Sequence, residues 1–132
     1  MGMVAIDRGL CTKICVALPG AQCVRQWGDA YVWKVGEKVF ALQSYWGDET
    51  ADGEPPYLCV KCTDLSYRML IEEAGIDAAP YLGRYKWVQF SPAHRLSDDD
   101  LKAYIEASYG MIVAKLPRKL RQSLGVSEGV DS

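Results

Sequence analysis

Residues 31–46 read YVWKVGEKVFALQSYW, and this stretch decides the fold class. β-Branched and aromatic residues fill both halves of it, and Gly36-Glu37 separates the halves. A glycine at the first position of a two-residue loop suits a type II′ turn. We therefore predict a β-hairpin with strands at 31–35 and 38–46.

Helical and strand patterns alternate along the rest of the chain. Apolar residues recur at helical spacing in some segments, and β-branched and aromatic runs bounded by Gly or Pro occur in others. We predict a helix over 6–18, followed by a strand around Trp27 that completes a three-strand meander with the hairpin. A fourth strand is predicted at 57–61 and a second helix from 64 to 75. A second hairpin is predicted at 81–90 with its turn at Gly83-Arg84, and a third helix begins after Ser97 and ends or restarts at Pro117.

These elements predict an α+β domain, a two-layer sandwich with helices packed on one face of an antiparallel sheet. The predicted order is helix, three strands, helix, two strands, helix (α-β-β-β-α-β-β-α), and the segment 57–61 is predicted as a fourth strand before the second helix. Residues 1–132 are expected to form a single domain, because a chain of this size can bury a proper core. Within it, the acidic segment 47–56 is a predicted mobile loop and 125–132 a predicted loose C-terminal tail.

Composition narrows the classes of function. Fifteen Lys and Arg stand against 17 Asp and Glu, a net charge of -2, so the whole chain exerts no attraction on nucleic acid or anionic lipid. No apolar run approaches the ~20 residues of a membrane helix, and we predict a cytoplasmic protein without membrane contact. One histidine, His94, cannot supply sites that need several imidazoles. We predict no catalytic residues, no metal and no cofactor, and favour a non-enzymatic role.

Short motifs spread over nearly the whole chain match one family in order and spacing. They are Leu18-Pro19-Gly20-Ala21, Trp27-Gly28, residues 33–41 (WKVGEKVFA), Lys61-Cys62, Pro80-Tyr81-Leu82, Lys86-Trp87-Val88, Ser108-Tyr109 and residues 113–117 (VAKLP). On these motifs the chain resembles the MmcQ/YjbR family of small bacterial proteins. The resemblance implies a domain of the double-wing or secretion-chaperone-like sort and a DNA-binding role.

Basic residues concentrate in two regions of the sequence. One surrounds the second predicted hairpin and the other lies near the C-terminus, where no acid occurs from 107 to 127. Such cations could neutralise phosphates, and Trp87 or Tyr85 could stack on an unpaired base. The alternative is a solvated face with cations at a helix C-terminus. The candidate residues for weak binding to DNA, without sequence preference, are Lys61, Arg84, Lys86, Trp87, Lys115, Arg118, Lys119 and Arg121.

Two other classes of function remain open. The first is a protein-interaction or chaperone-like module that receives a protein partner, or a second copy in a homodimer, on its sheet. The second is a thiol- or metal-dependent activity at Cys59 and Cys62, which form a C-x-x-C pair, with Cys11 and Cys15 as conceivable further zinc ligands. His94 is expected in an exposed connection, and Ser108 has no activating base nearby in the sequence.

Overall fold

A β-hairpin lies where the sequence predicts it, and the sheet extends on both sides. The computed structural model describes residues 8–26, 30–44, 57–80 and 82–125. In chain order the elements are α1 (Arg8–Val16), β1 (Gln22–Gln26), β2 (Ala30–Val35), β3 (Lys38–Ser44), β4 (Tyr57–Lys61), α2 (Asp64–Leu70), β5 (Ile76–Ala78), a 3-10 turn (Gly83–Tyr85), β6 (Trp87–Phe90), α3 (Asp98–Val113) and α4 (Arg118–Ser123).

The turn between β2 and β3 is of type I′, so the predicted type II′ is wrong. Val35 pairs with Lys38 across a two-residue loop, and φ is positive at both Gly36 (58°) and Glu37 (72°). Glycine at the first position suits both turn types, and the second residue decides between them. Gly36 also permits a close approach, because a Cβ there would lie 2.8 Å from Leu116 Cδ1. The hairpin tip thus packs against the residues that follow α3.

A β-bulge interrupts β3 close to this turn. Trp33 pairs with Ala41 and Lys34 with Val39, which leaves Phe40 as an extra residue. On the other side of β3, the ladder to β4 ends with Ala41 opposite Val60. A bulge increases local twist and disrupts pairing, so regular pairing stops before Phe40 meets Lys61.

The six strands form one antiparallel sheet in the order β1-β2-β3-β4-β6-β5. The main core joins one face of this sheet to the helices. Its buried members include Cys11, Ile14 and Cys15 of α1, Leu70 of α2, and Leu101, Ile105, Ile112 and Val113 of α3. The α+β architecture with helices on one face is therefore confirmed.

Two details of the predicted order are wrong. The predicted fourth strand at 57–61 is confirmed as β4, which lies between β3 and β6 in the sheet, so the order α-β-β-β-α-β-β-α is one strand short before α2. The second hairpin pairs β5 with β6, and its connection contains the 3-10 turn instead of a two-residue turn at Gly83-Arg84. The Lys86 N–H donates to the Gly83 carbonyl oxygen at 2.9 Å, which closes this longer connection.

Both predicted features of the C-terminal helices can be assigned. The Ser97 hydroxyl accepts the Asp100 N–H at 3.1 Å and caps α3. Pro117 precedes α4, so helix formation restarts there. The predicted strand before the Gly28-Asp29 turn corresponds to β1, which pairs with β2 and so completes the three-strand meander. Trp27 itself, residues 45–46, the acidic segment 47–56 and all of the predicted tail except Gly125 lie outside the described residues.

His94 is buried, contrary to the expectation of an exposed connection. Only 7% of its surface is accessible, and its ring contacts Phe90 edge-on at 5.7 Å between centroids. Its Nδ1 accepts the Leu96 N–H at 3.1 Å, whereas its buried Nε2 has no hydrogen-bond partner. The local hydrogen bond and the aromatic contact fold this connection inward.

The opposite face of the sheet carries its own apolar cluster. It consists of Ala30, Val32, Leu42, Cys59, Ala79 and Trp87, with Val39 and Leu82 packed against it. None of these residues belongs to a helix. Because successive side chains of a strand point to opposite faces of the sheet, neighbouring residues fall in different clusters. Trp87 belongs to this cluster, whereas Val88 belongs to the core on the helix side.

Candidate functional site

A groove opens at the end of the sheet where β3 starts, β4 ends and β6 starts. Antiparallel pairing brings these three strand ends together, and the C-terminal end of α3 completes the wall. The volume of the groove is about 550 Å³. Its lining residues are Glu37, Lys38, Val39, Lys61, Tyr85, Trp87, Ile112 and Lys115.

Three lysines from three separate elements dominate the charge of this groove. Lys38 begins β3, Lys61 ends β4, and Lys115 follows α3. Of the lining residues that the structure describes, only Glu37 carries a carboxylate. In the part of the chain that the structure describes, none of these three lysines forms an ion pair with a separation of 4.0 Å or less. No close carboxylate of the described residues therefore cancels their charges.

Lys61 is held in position at the groove. Its Nζ donates to the Tyr85 carbonyl oxygen at 3.0 Å. Burial lowers the pKa of the Lys61 ammonium, and the neighbouring positive charge of Lys115 lowers it further, while Asp64 and Cys62 act in the opposite direction. Two ammonium groups that repel each other in one groove favour an anion between them.

The two aromatic side chains of the groove differ in accessibility. Trp87 is only 8% exposed and belongs to the apolar cluster on the face of the sheet opposite the helices. Tyr85 is 53% exposed and lies in the 3-10 turn. Tyr85 thus offers a ring to a ligand, whereas Trp87 forms part of the floor.

Ser108 fixes the backbone behind the groove. Its hydroxyl donates to the Phe40 carbonyl oxygen at 2.6 Å and accepts the Lys61 N–H at 3.0 Å. Both backbone groups lie where the β3–β4 ladder stops, so one fully buried side chain of α3 bridges the two strands there. The sequence gives no indication of this role, because the bridge spans 68 positions to Phe40 and 47 to Lys61.

The structure brings three of the eight sequence candidates into the groove: Lys61, Trp87 and Lys115. Arg84 and Lys86 lie in the connection that also carries Tyr85, and both are close to aromatic rings. The Arg84 guanidinium is 5.3 Å from the centroid of the Tyr85 ring, and the Lys86 Nζ is 5.1 Å from that of Tyr67. These contacts are within cation–π range.

The remaining three candidates, Arg118, Lys119 and Arg121, lie on α4 and do not line the groove. Lys38 was not among the candidates, although it does line the groove. Its place follows from strand register: the start of β3 is opposite the end of β4, which carries Lys61. Sequence reasoning that seeks runs of nearby cations overlooks a lysine set apart in this way.

The five cysteines are all thiols. Cys59 belongs to the cluster on the face of the sheet opposite the helices, whereas Cys62 belongs to the core on the helix side. Burial raises the pKa of the Cys62 thiol to about 11, and a protonated thiol is a poor nucleophile and a poor metal ligand. This arrangement lends no support to a paired redox site at Cys59 and Cys62.

In the described part of the chain, no group of three or more His, Cys, Asp or Glu side chains could hold a metal ion. None of the helices in the same ranges is long and apolar enough to cross a membrane.

Comparison with known proteins assigns the chain to a family. The fold is a small α+β domain with one open antiparallel sheet, and the YjbR family model matches residues 16–111. The chain therefore belongs to the YjbR family, as its motifs suggest. It is also similar to the crystal structure of Deinococcus radiodurans protein DR2400, from domain family DUF419, with a TM-score of 0.72 and 21% identity over 89% of this chain and 87% of that one. A search of curated proteins found no significant match.

Proposed function

We propose that this protein is a non-enzymatic, cytoplasmic nucleic-acid-binding domain that contacts phosphates through the groove and does not read base sequence. The observation that carries the proposal is the convergence of Lys38, Lys61 and Lys115 beside Tyr85 in one groove. Most of the affinity of such proteins comes from neutralising phosphates, and exposed rings add stacking. DNA is the first ligand to test, given the family resemblance.

Local charge can outweigh the net charge of -2. Exposed charges more than a Debye length apart, about 8–10 Å at physiological salt, are largely screened from each other. A bound phosphate therefore responds mainly to the lysines around it. Arg84 in the neighbouring connection would extend the same positive surface.

The two hairpins beside the groove support a double-wing mode of binding. The β2–β3 tip supplies Glu37 and Lys38, and the β5–β6 connection supplies Tyr85. Among the described lining residues there is no Asn, Gln or Arg to read base edges, and the charged side chains are three lysines and one glutamate. Such a set positions a backbone instead of selecting bases.

A salt titration of DNA binding tests the proposal. Anisotropy of a fluorescein-labelled DNA of mixed sequence would be measured between 20 and 200 mM salt for the wild type, Lys38→Gln and Lys115→Gln. We expect each substitution to weaken binding and to reduce the slope of log K against log salt by about 0.7–0.9, the value of one phosphate contact.

Lys102→Gln is the matched control. Lys102 lies on α3, and its substitution removes the same charge. By the rise of 1.5 Å per residue, it stands about 17 Å along the axis from Val113, where that helix ends before Lys115. Absence of measurable binding near physiological salt would refute the proposal. An equal effect of the Lys102 substitution would refute the assignment to the groove.

A protein partner or a second copy of the chain is the second candidate. We propose α2 as its surface, because Leu65 and Met69 are 67% and 56% exposed and are four residues apart on one side of the helix. Light scattering over a concentration series, with Leu65→Ser as the comparison, tests self-association. A constant monomer mass at all concentrations would exclude the homodimer.

A further inference from the structure

We propose that the groove accepts one unstacked nucleotide of a single strand, with the phosphate between Lys61 and Lys115 and the base against Tyr85. This inference rests on the proposed nucleic-acid-binding function and makes it specific. It concerns the form of nucleic acid that fits, an unpaired strand in preference to a duplex.

The size and lining of the groove favour a single nucleotide unit. A volume of about 550 Å³ is that of a small-molecule site, for which the usual range is roughly 300–1,000 Å³. The apolar part of the lining is formed by Val39, Trp87 and Ile112. A duplex keeps its bases stacked inside, so it would touch only the charged rim and leave this apolar part unused.

The lysine pair supplies the phosphate position. One donor of the Lys61 ammonium is taken by the Tyr85 carbonyl oxygen, which fixes the group and leaves two donors for a ligand. Lys115 is near enough for its charge to act on Lys61. A phosphate placed between the two ammonium groups would remove their repulsion and accept hydrogen bonds from both.

The aromatic position adjoins this pair directly. The backbone of Tyr85 holds Lys61, so the exposed Tyr85 ring is attached to the same residue that orients the ammonium. The Arg84 guanidinium, 5.3 Å from the centroid of that ring, adds a second planar cationic group. Aromatic rings and guanidinium planes are the groups on which proteins stack unpaired bases.

Four probes separate the contributions of phosphate and base. They are a labelled 12-nucleotide single strand, its duplex, an abasic strand with the same number of phosphates, and a free mononucleotide as competitor. We expect the single strand to bind at least tenfold more tightly than the duplex at equal salt. It should bind about 5- to 160-fold more tightly than the abasic strand, which is the range for one stacked base.

Two substitutions test the position of the base. Tyr85→Ala should abolish the difference between normal and abasic strands, whereas Tyr85→Phe should retain it, because the ring persists. Both variants keep the backbone carbonyl that holds Lys61, so a loss in the alanine variant alone identifies the ring.

The failures of the two proposals are distinguishable. If duplex and abasic strand bind as tightly as the normal strand, the single-nucleotide inference is overturned and the nucleic-acid function stands. If no probe binds, the proposed function fails and the inference with it. If the mononucleotide binds as tightly as the strand, the ligand is a free nucleotide and the single-strand inference is overturned.

Discussion

Ser108 illustrates how one hydroxyl couples stability to the site. Ser108→Ala would leave the Lys61 N–H and the Phe40 carbonyl without this partner in a buried setting. We expect a loss of about 1–3 kcal/mol in the free energy of unfolding, the usual cost of an unsatisfied buried group. Urea unfolding measures it.

Ser123→Ala is the control for this substitution. The Ser123 hydroxyl donates to the Leu120 carbonyl oxygen in an exposed turn of α4. Its removal should change the free energy of unfolding by less than about 0.5 kcal/mol, as is usual at the surface. Equal losses in the two variants would argue against a special role for Ser108.

His94 should make the fold sensitive to mild acid. Burial lowers its pKa below the ordinary value of 6.5, while Asp98 acts in the opposite direction. The unfolded chain therefore binds a proton at a higher pH than the folded chain does. The stability contributed by neutral His94 is complete above pH 6.5 and is lost as the pH falls toward the lower folded-state pKa.

The variant His94→Asn removes this titration and retains an oxygen that can accept the Leu96 N–H. Urea unfolding at pH 8, 6.5 and 5 should show a larger acid loss in the wild type than in the variant. Parallel pH profiles would show that His94 does not contribute to acid sensitivity.

At the scale of elements, α3 contains a glycine that lowers the stability of the helix. Gly110 lies inside this helix, its side is exposed, and a Cβ built there meets nothing within 4 Å. We expect Gly110→Ala to raise the free energy of unfolding by about 0.5–1 kcal/mol, through the lower backbone entropy of the unfolded chain. Thermal melts of the two proteins provide the measurement, and an unchanged or lower Tm would contradict this account.

The elements also show what the sequence could and could not predict. The strands of the β2–β3 hairpin were predictable because β-branched and aromatic residues fill them, and the cap of α3 because Ser97 precedes three acids. The type I′ turn between these strands was not predictable, because it depends on Glu37 adopting a left-handed conformation. β5 was missed because three residues are too short to display an alternating pattern.

At the scale of the whole molecule, the groove was harder to predict than the sheet. Its lysines are at 38, 61 and 115, and only strand order and register bring them together. Sequence clusters identified Lys61 and Lys115 but also included the α4 cations, which lie outside the groove. The family motifs indicated the fold, but they did not indicate which residues line the groove.

Because the groove is built from four chain segments that are distant in sequence, ligand binding in the groove is coupled to folding. The lining residues, which are Glu37, Lys38, Val39, Lys61, Tyr85, Trp87, Ile112 and Lys115, meet only in the native fold, so no short peptide that carries one of these segments would retain the cavity. Any molecule that binds there is selective for the native ensemble. At a concentration 100 times its Kd, it would protect that ensemble by about 2.7 kcal/mol, which a shift in melting temperature or resistance to proteolysis would reveal even before the natural ligand is known.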